Sequence, residues 1–275
     1  MTVGKQIAKG AAWLVVTRIV DRIIGFASTL VLARLLLPDD LGVVSMAMTI
    51  VALLDVLTDF GFEWSIIQRQ SRAEQDLNTA WSLNVVVGIL NGALLVTLIP
   101  VATTFYNEPR LQGPMLLLAL TVALGGFRNV GMTLFELNLN FRPAFVLAFV
   151  RKVAGFVTTM TIALAYHSYW ALVCGQAVAV VAVVGTSYAL SPYRPRFQFA
   201  SVRKIIQFSK WMYASNLLGY VNTRGVQLVI GRLAGAAPLG LYNMAYDLRE
   251  SRRQRARAAD NSGALLRILP HWRRS

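Results

Sequence analysis

Six long apolar runs separated by short polar turns fill the first 190 residues of the chain. They cover residues 11–37, 41–64, 77–104, 114–135, 144–166 and 169–190. Runs of about 20 apolar residues can cross ~30 Å of hydrocarbon as helices. None has the alternation of apolar and polar positions that marks a membrane β-strand. The pattern predicts an all-α membrane protein, with turns at Pro38-Asp39-Asp40, Asn107-Glu108-Pro109 and His167-Ser168. A seventh run covers residues 211–233, and an eighth starts at Leu239.

The seventh run repeats the first. At a fixed offset of 198 residues, Arg34 matches Arg232, Leu41 matches Leu239, Gly42 matches Gly240 and Met46 matches Met244. Trp13 and Trp211 keep the same offset. Self-similarity at a constant offset is the mark of a duplicated unit. With six spans ahead of it, the second copy enters the membrane in the same direction as the first. The repeats are therefore expected to be parallel, related by an axis along the membrane normal. Residues 1–191 read as a first six-helix bundle, 192–210 as a basic cytoplasmic connector, and 211–248 as the first one to two helices of a second bundle. The pattern then fails. Residues 249–255 should echo 51–57 but read Arg-Glu-Ser-Arg-Arg-Gln-Arg. Residues 249–275 are expected to be a non-native or disordered tail from a shifted reading frame; the other reading is a basic tail against anionic lipid.

Composition agrees with a membrane protein: 56% of residues are hydrophobic and 15% charged, against roughly 25% charged in soluble domains. The formal charge of +14 would suggest a nucleic-acid partner in a soluble chain. Here none is expected, because the cations sort to one side of the spans. Lys5, Lys9, Arg69, Arg72, Arg142, Arg151, Lys152 and the connector fall on one side; Asp39, Asp40, Glu108, Arg110 and His167 fall on the other. The first set belongs in the cytoplasm, which puts the N-terminus inside. The run at 11–37 is too long and too charged for a cleaved leader, so it reads as a retained span. Cys174 lies in an apolar run and suggests neither a disulfide nor a metal site. Trp13, Trp64, Trp81, Trp170 and Trp211 stand mostly at predicted span ends, as interfacial aromatics do.

The turn Ala33-Arg34-Leu35-Leu36-Leu37-Pro38-Asp39-Asp40-Leu41-Gly42 and its echo at 231–246 resemble the Wzx-type polysaccharide flippases of the multidrug/oligosaccharidyl-lipid/polysaccharide exporter superfamily. The opening Gly10-Ala11-Ala12-Trp13, the stretch Asp59-Phe60-Gly61-Phe62 and the pair Arg142-Pro143 resemble that family too. The resemblance implies two helical bundles that exchange inward- and outward-open states. It also implies a lipid-pyrophosphate-linked oligosaccharide as substrate, moved across a bacterial cytoplasmic membrane in exopolysaccharide or O-antigen biosynthesis. Membrane lipids and polysaccharide polymerase machinery are the other partners it suggests. The chain departs from the family in carrying one bundle and the start of another.

Ionisable residues inside spans are costly and mark cavities or pairs. Arg18 and Arg22 share a face of the first span, with Asp21 one turn from Arg18. Asp55, Asp59 and Glu63 recur every four residues and predict an acidic stripe on the second span. Counted from the Pro38 turn, Arg22 is level with Asp55 and Arg18 with Asp59. Arg128 in the fourth span and Arg224 in the seventh are further cations. One reading makes Arg18, Arg22, Arg128 and Arg224 contacts for an anionic headgroup, since an Arg fork suits phosphate oxygens, and gives Asp55 or Asp59 a coupling ion. The other makes Arg18, Arg22, Asp55 and Asp59 intramembrane ion pairs that hold the first two spans together. Arg34 and Arg232, at the outer ends of their spans, read as helix caps and anchors.

The sequence has no glycine-rich phosphate loop, nucleophile elbow or zinc spacing. No enzyme activity, cofactor or metal is expected. The alternatives to a flippase are a drug/cation antiporter of the same superfamily and a membrane-embedded glycan polymerase or glycosyltransferase. The first would want an acidic cavity, the second larger outer loops.

Overall fold

A computed structural model describes residues 3–58, 60–206, 229–235 and 237–246. Asp59, Lys210, Trp211, Arg224 and the tail at 249–275 lie outside the described residues. Among the described residues, eight α-helices lie ahead of residue 191: α1 (Val3–Leu35), α2 (Pro38–Thr58), α3 (Phe62–Arg69), α4 (Glu74–Tyr106), α5 (Gln112–Gly125), α6 (Met132–Leu137), α7 (Arg142–Tyr166) and α8 (Trp170–Leu190). Among the described residues there is no strand. Helices α2, α4, α7 and α8 are each long and apolar enough to cross a membrane. Helix α1 has the length, at 33 residues, but carries Arg18, Asp21, Arg22 and Arg34.

Two predicted spans are not continuous. The second run, expected to reach Trp64, stops at Thr58. Gly61 then takes a left-handed backbone (φ 61°), and α3 begins. Glycine pays no Cβ penalty there. The acidic stripe is therefore divided: Asp55 stays on α2, whereas Glu63 rides on α3. The fourth run, expected to be continuous over 114–135, breaks between α5 and α6 at residues 126–131. Non-helical backbone at membrane depth needs protein partners for its polar groups, and it has them. The Phe127 carbonyl accepts from the Tyr188 hydroxyl at 2.9 Å, and the Asn129 amide donates to Ser187 Oγ at 3.0 Å.

Packing follows close approaches of small residues rather than sequence order. Helix α7 lies along α8 and along α1, while α4 lies along α5; α2 packs on α4 and α5. A Cβ on Gly92 would come within 2.7 Å of the Ala119 carbonyl, and one on Gly175 within 3.0 Å of the Gly155 carbonyl. Such contacts let membrane helices gain dispersion energy where lipid offers no hydrophobic drive. Trp81, expected at an interface, is instead buried, and its indole N–H donates to the Tyr188 hydroxyl at 3.1 Å.

The connector is pinned. Residues 191–200 have no regular structure but lie against α4. Asn78 Oδ1 accepts the Arg196 amide at 3.0 Å, Ser82 Oγ the Gln198 amide at 2.9 Å, and Thr79 Oγ1 the Ser201 amide at 3.3 Å. Burial pushes the Tyr193 phenol up to about 12, so it stays protonated and donates to Asn78.

Beyond the connector, helical residues 229–234 and 237–246 flank Gly235. Leu239 is fully buried in one cluster with Val43 and Met46 of α2 and Tyr106 of α4. A Cβ on Gly240 would stand 2.7 Å from the Pro38 carbonyl and 3.5 Å from Gly42 Cα.

Candidate intramembrane cavity

A cavity of about 970 Å³ lies among α1, α2, α7 and α8. Its wall is apolar over Leu32, Leu41, Val44, Met48 and Leu172, and polar at Ser28, Ser45, Thr49, Gln176 and Asn243. Four charges join it: Asp21 from α1, Asp55 from α2, and Arg151 and Lys152 from α7. Its size is at the upper end of small-ligand pockets.

Local geometry explains how the charges meet. Asp21 stands fourteen residues before Leu35, the end of α1, and Lys152 fourteen before Tyr166, the end of α7. Because α1 and α7 pack together, equal depth becomes contact: Lys152 Nζ is 3.9 Å from Asp21 Oδ1. The pair is loose and half exposed, with side-chain exposures of 35% and 49%. Such a pair contributes less than about 1 kcal/mol, so Lys152 is free to exchange Asp21 for another anion. Gly25 lies beside it: the Lys152 ammonium is 3.5 Å from where a Cβ would stand, an ordinary contact. Asp55, about 25 Å along α2 from Pro38, brings the second carboxylate.

The residues singled out in the sequence are not gathered in one place. Asp55 lines the cavity. Arg22 is half-buried and Arg18 exposed on α1, and neither is among the lining residues. Arg128 sits in the break between α5 and α6 and pairs with Glu63 of α3. Asp59 and Arg224 are outside the described residues. Arg151 and Lys152, counted above as cytoplasmic flank, lie nine and ten residues into α7. No signal in the sequence singles out Lys152, because the equal distances depend on α1 ending at Leu35, two residues before its apolar run does. Arg232, at the end of its helical segment, lies over the Phe105 ring at 5.6 Å.

An all-helical, multi-span membrane protein with a charged hollow among α1, α2, α7 and α8 is the class these observations define. The chain belongs to the polysaccharide biosynthesis protein family, whose pattern it matches over residues 31–258. It is 28% identical over 252 residues to the lipopolysaccharide biosynthesis protein WzxC of Escherichia coli, covering 90% of this chain and 51% of that one. It is 23% identical to the succinoglycan biosynthesis transport protein ExoT of Rhizobium meliloti, over 88% of this chain and 49% of that one. The teichuronic acid biosynthesis protein TuaB of Bacillus subtilis is 24% identical, over 90% and 52%. The chain thus spans about half the length of these relatives. The resemblance to Wzx-type flippases read from the Pro38 turn holds at this level. No solved structure matches the chain.

Proposed function

We propose that the chain takes part in moving a lipid-pyrophosphate-linked oligosaccharide across the bacterial cytoplasmic membrane during polysaccharide biosynthesis. One observation carries the reading: a loosely paired Lys152, with Arg151 beside it, in a cavity that also offers carboxylate, amide and hydroxyl groups. Cations in a low-dielectric wall draw an anionic headgroup. The carboxylates, Gln176, Thr49 and Asn243 suit sugar hydroxyls. The names of the family and of its relatives, all in polysaccharide biosynthesis or transport, support the same substrate class.

In this reading the N-terminus is cytoplasmic. Arg18 and Arg22 draw the headgroup toward the cavity from that side, Arg224 adds a cation from the second bundle, and Arg128 serves to dock α3 on the α5–α6 break. Asp55 or Asp59 takes up the coupling ion. Residues 211–248 begin a parallel second bundle. The approach of Gly240 to Gly42, two positions the 198-residue offset equates, supports that arrangement. The two carboxylates are what a cation antiporter would use, but Lys152 offsets one of them.

Deleting the gene and restoring it with wild-type or Arg151→Gln/Lys152→Gln coding sequence tests the proposal. Deletion should abolish surface polysaccharide and leave lipid-linked oligosaccharide at the inner leaflet; the double variant should restore at most about a tenth of export, as the loss of two charge-assisted contacts implies. Undiminished polysaccharide in the deletion strain would overturn the function. Full export by the variant at equal abundance would overturn the cavity's role.

A further inference from the structure

The connector strap presents a surface that its role as a link between bundles does not explain. Its inward side is committed: the amides of Arg196, Gln198 and Ser201 are bound by Asn78, Ser82 and Thr79 of α4, and Ile205 is buried. Arg194 is committed too, capping the end of α8 through the Ser191 carbonyl at 2.6 Å. With the backbone fixed in this way, what remains outside is decided by the fold. Phe197 is 65% exposed and Phe199 53% exposed, and Arg196, Arg203 and Lys204 are exposed beside them.

Depth places this surface. Helix α8, with 21 residues, is about 30 Å long and so spends its whole length on the hydrocarbon. The strap starts at the next residue, Ser191. Helix α4 has 33 residues, about 50 Å, which exceeds the hydrocarbon by roughly 20 Å. The strap is fastened to residues 78–82 of α4, in the turns just after its start at Glu74. Those turns therefore stand in the headgroup layer. Exposed phenyl rings among cations at that depth have one fitting partner, because rings favour the acyl boundary while Lys and Arg favour phosphates.

We infer that residues 196–204 form an interfacial anchor that binds anionic phospholipid headgroups of the leaflet on which α4 begins, with Phe197 and Phe199 dipping toward the acyl chains and Arg196, Arg203 and Lys204 holding phosphates. Each such cation adds to the attraction toward an anionic surface. The anchor fixes the link to the second bundle at one height in the membrane.

The test uses the full chain with Cys174→Ser and Phe199→Cys, a fluorophore on the new thiol, in vesicles of roughly one phosphatidylglycerol to four phosphatidylcholine, a composition anionic enough to draw basic segments. Bromine is carried on the acyl chains of the phosphatidylglycerol in one set and of an equal amount of phosphatidylcholine in the other. Brominated phosphatidylglycerol should quench at least about twice as strongly, as local enrichment by three cations requires. Arg196→Gln/Arg203→Gln/Lys204→Gln should bring the ratio close to unity. So should ~0.5 M salt on the chain with native cations, since exposed charges are screened there; that arm stands even if the triple variant folds poorly. Equal quenching by the two lipids overturns the anionic preference, and a ratio that survives salt overturns its electrostatic origin. A label that neither lipid quenches places the strap in water, leaving the surface to a soluble acidic partner and sinking the proposal.

Discussion

Removing either member of the Glu63–Arg128 pair strands a charge in a half-buried place, and the two removals are not equivalent. Glu136 of α6 lies close enough to interact with both. Arg128→Gln therefore leaves two carboxylates facing one another, whereas Glu63→Gln leaves Arg128 with Glu136. The side chains are 42% and 25% exposed, between the surface and buried regimes, so each single loss should cost about 1–2 kcal/mol. Arg128→Gln should cost more than Glu63→Gln, and the double variant less than the sum of the two. A double-mutant cycle of thermal unfolding in detergent measures this; equal single losses that add would show that the three groups do not form one cluster. The charges themselves were plain in the sequence, but their partners were not. Periodicity gives the face and depth of a residue, while the partner depends on which helices adjoin. Lys152 sorts by charge with the flanking cations, whereas the structure sets it ten residues into α7 against α1.

The runs told where helices lie, and the chain breaks at Asn107-Glu108 and His167-Ser168 as expected; the first break comes at Leu36-Leu37 instead, with Pro38-Asp39-Asp40 already the first turn of α2. What the runs concealed is where helices stop. Phe60-Gly61-Phe62 and Gly125-Gly126-Phe127 are as apolar as the spans around them. The partners that make the second break affordable, Trp81, Ser187 and Tyr188, come from distant sequence. Which small residues make the helix contacts is not legible in the sequence either: Gly175 and Gly185 lie in the same apolar run of α8, and only Gly175 meets a neighbour. A Cβ there would lie 1.9 Å from Thr159 Oγ1 and 3.0 Å from the Gly155 carbonyl. The hydroxyl can rotate away; the backbone cannot. Gly175→Val should therefore push α8 off α7 and cost about 1–3 kcal/mol, the usual size of overpacking. At Gly185 nothing lies within 4 Å of a new Cβ. Gly185→Ala should be neutral or stabilising by up to about 1 kcal/mol through helix propensity. Melting temperatures of the two variants in detergent make the comparison; a Gly175→Val protein as stable as wild type would mean that the α7–α8 seam is looser than described.

At the scale of the whole molecule, the cavity needs a second wall, and its position is set by one contact. Asn243 already reaches the cavity from beyond the connector. That reach depends on residues 237–246 lying against the start of α2, which the approach of Gly240 to Pro38 and Gly42 brings about. The offset of 198 residues equates Gly240 with Gly42, and the structure sets the two side by side. A Cβ on Gly240 would also stand 3.1 Å from the Gly42 nitrogen, so backbone crowds it on two sides. Gly240→Ala should therefore push residues 237–246 off the start of α2 and cost about 1–3 kcal/mol, the usual size of overpacking. Melting temperatures in detergent measure the loss. A Gly240→Ala protein as stable as wild type would mean that this contact is looser than described, and that Asn243 is not held in the cavity by it.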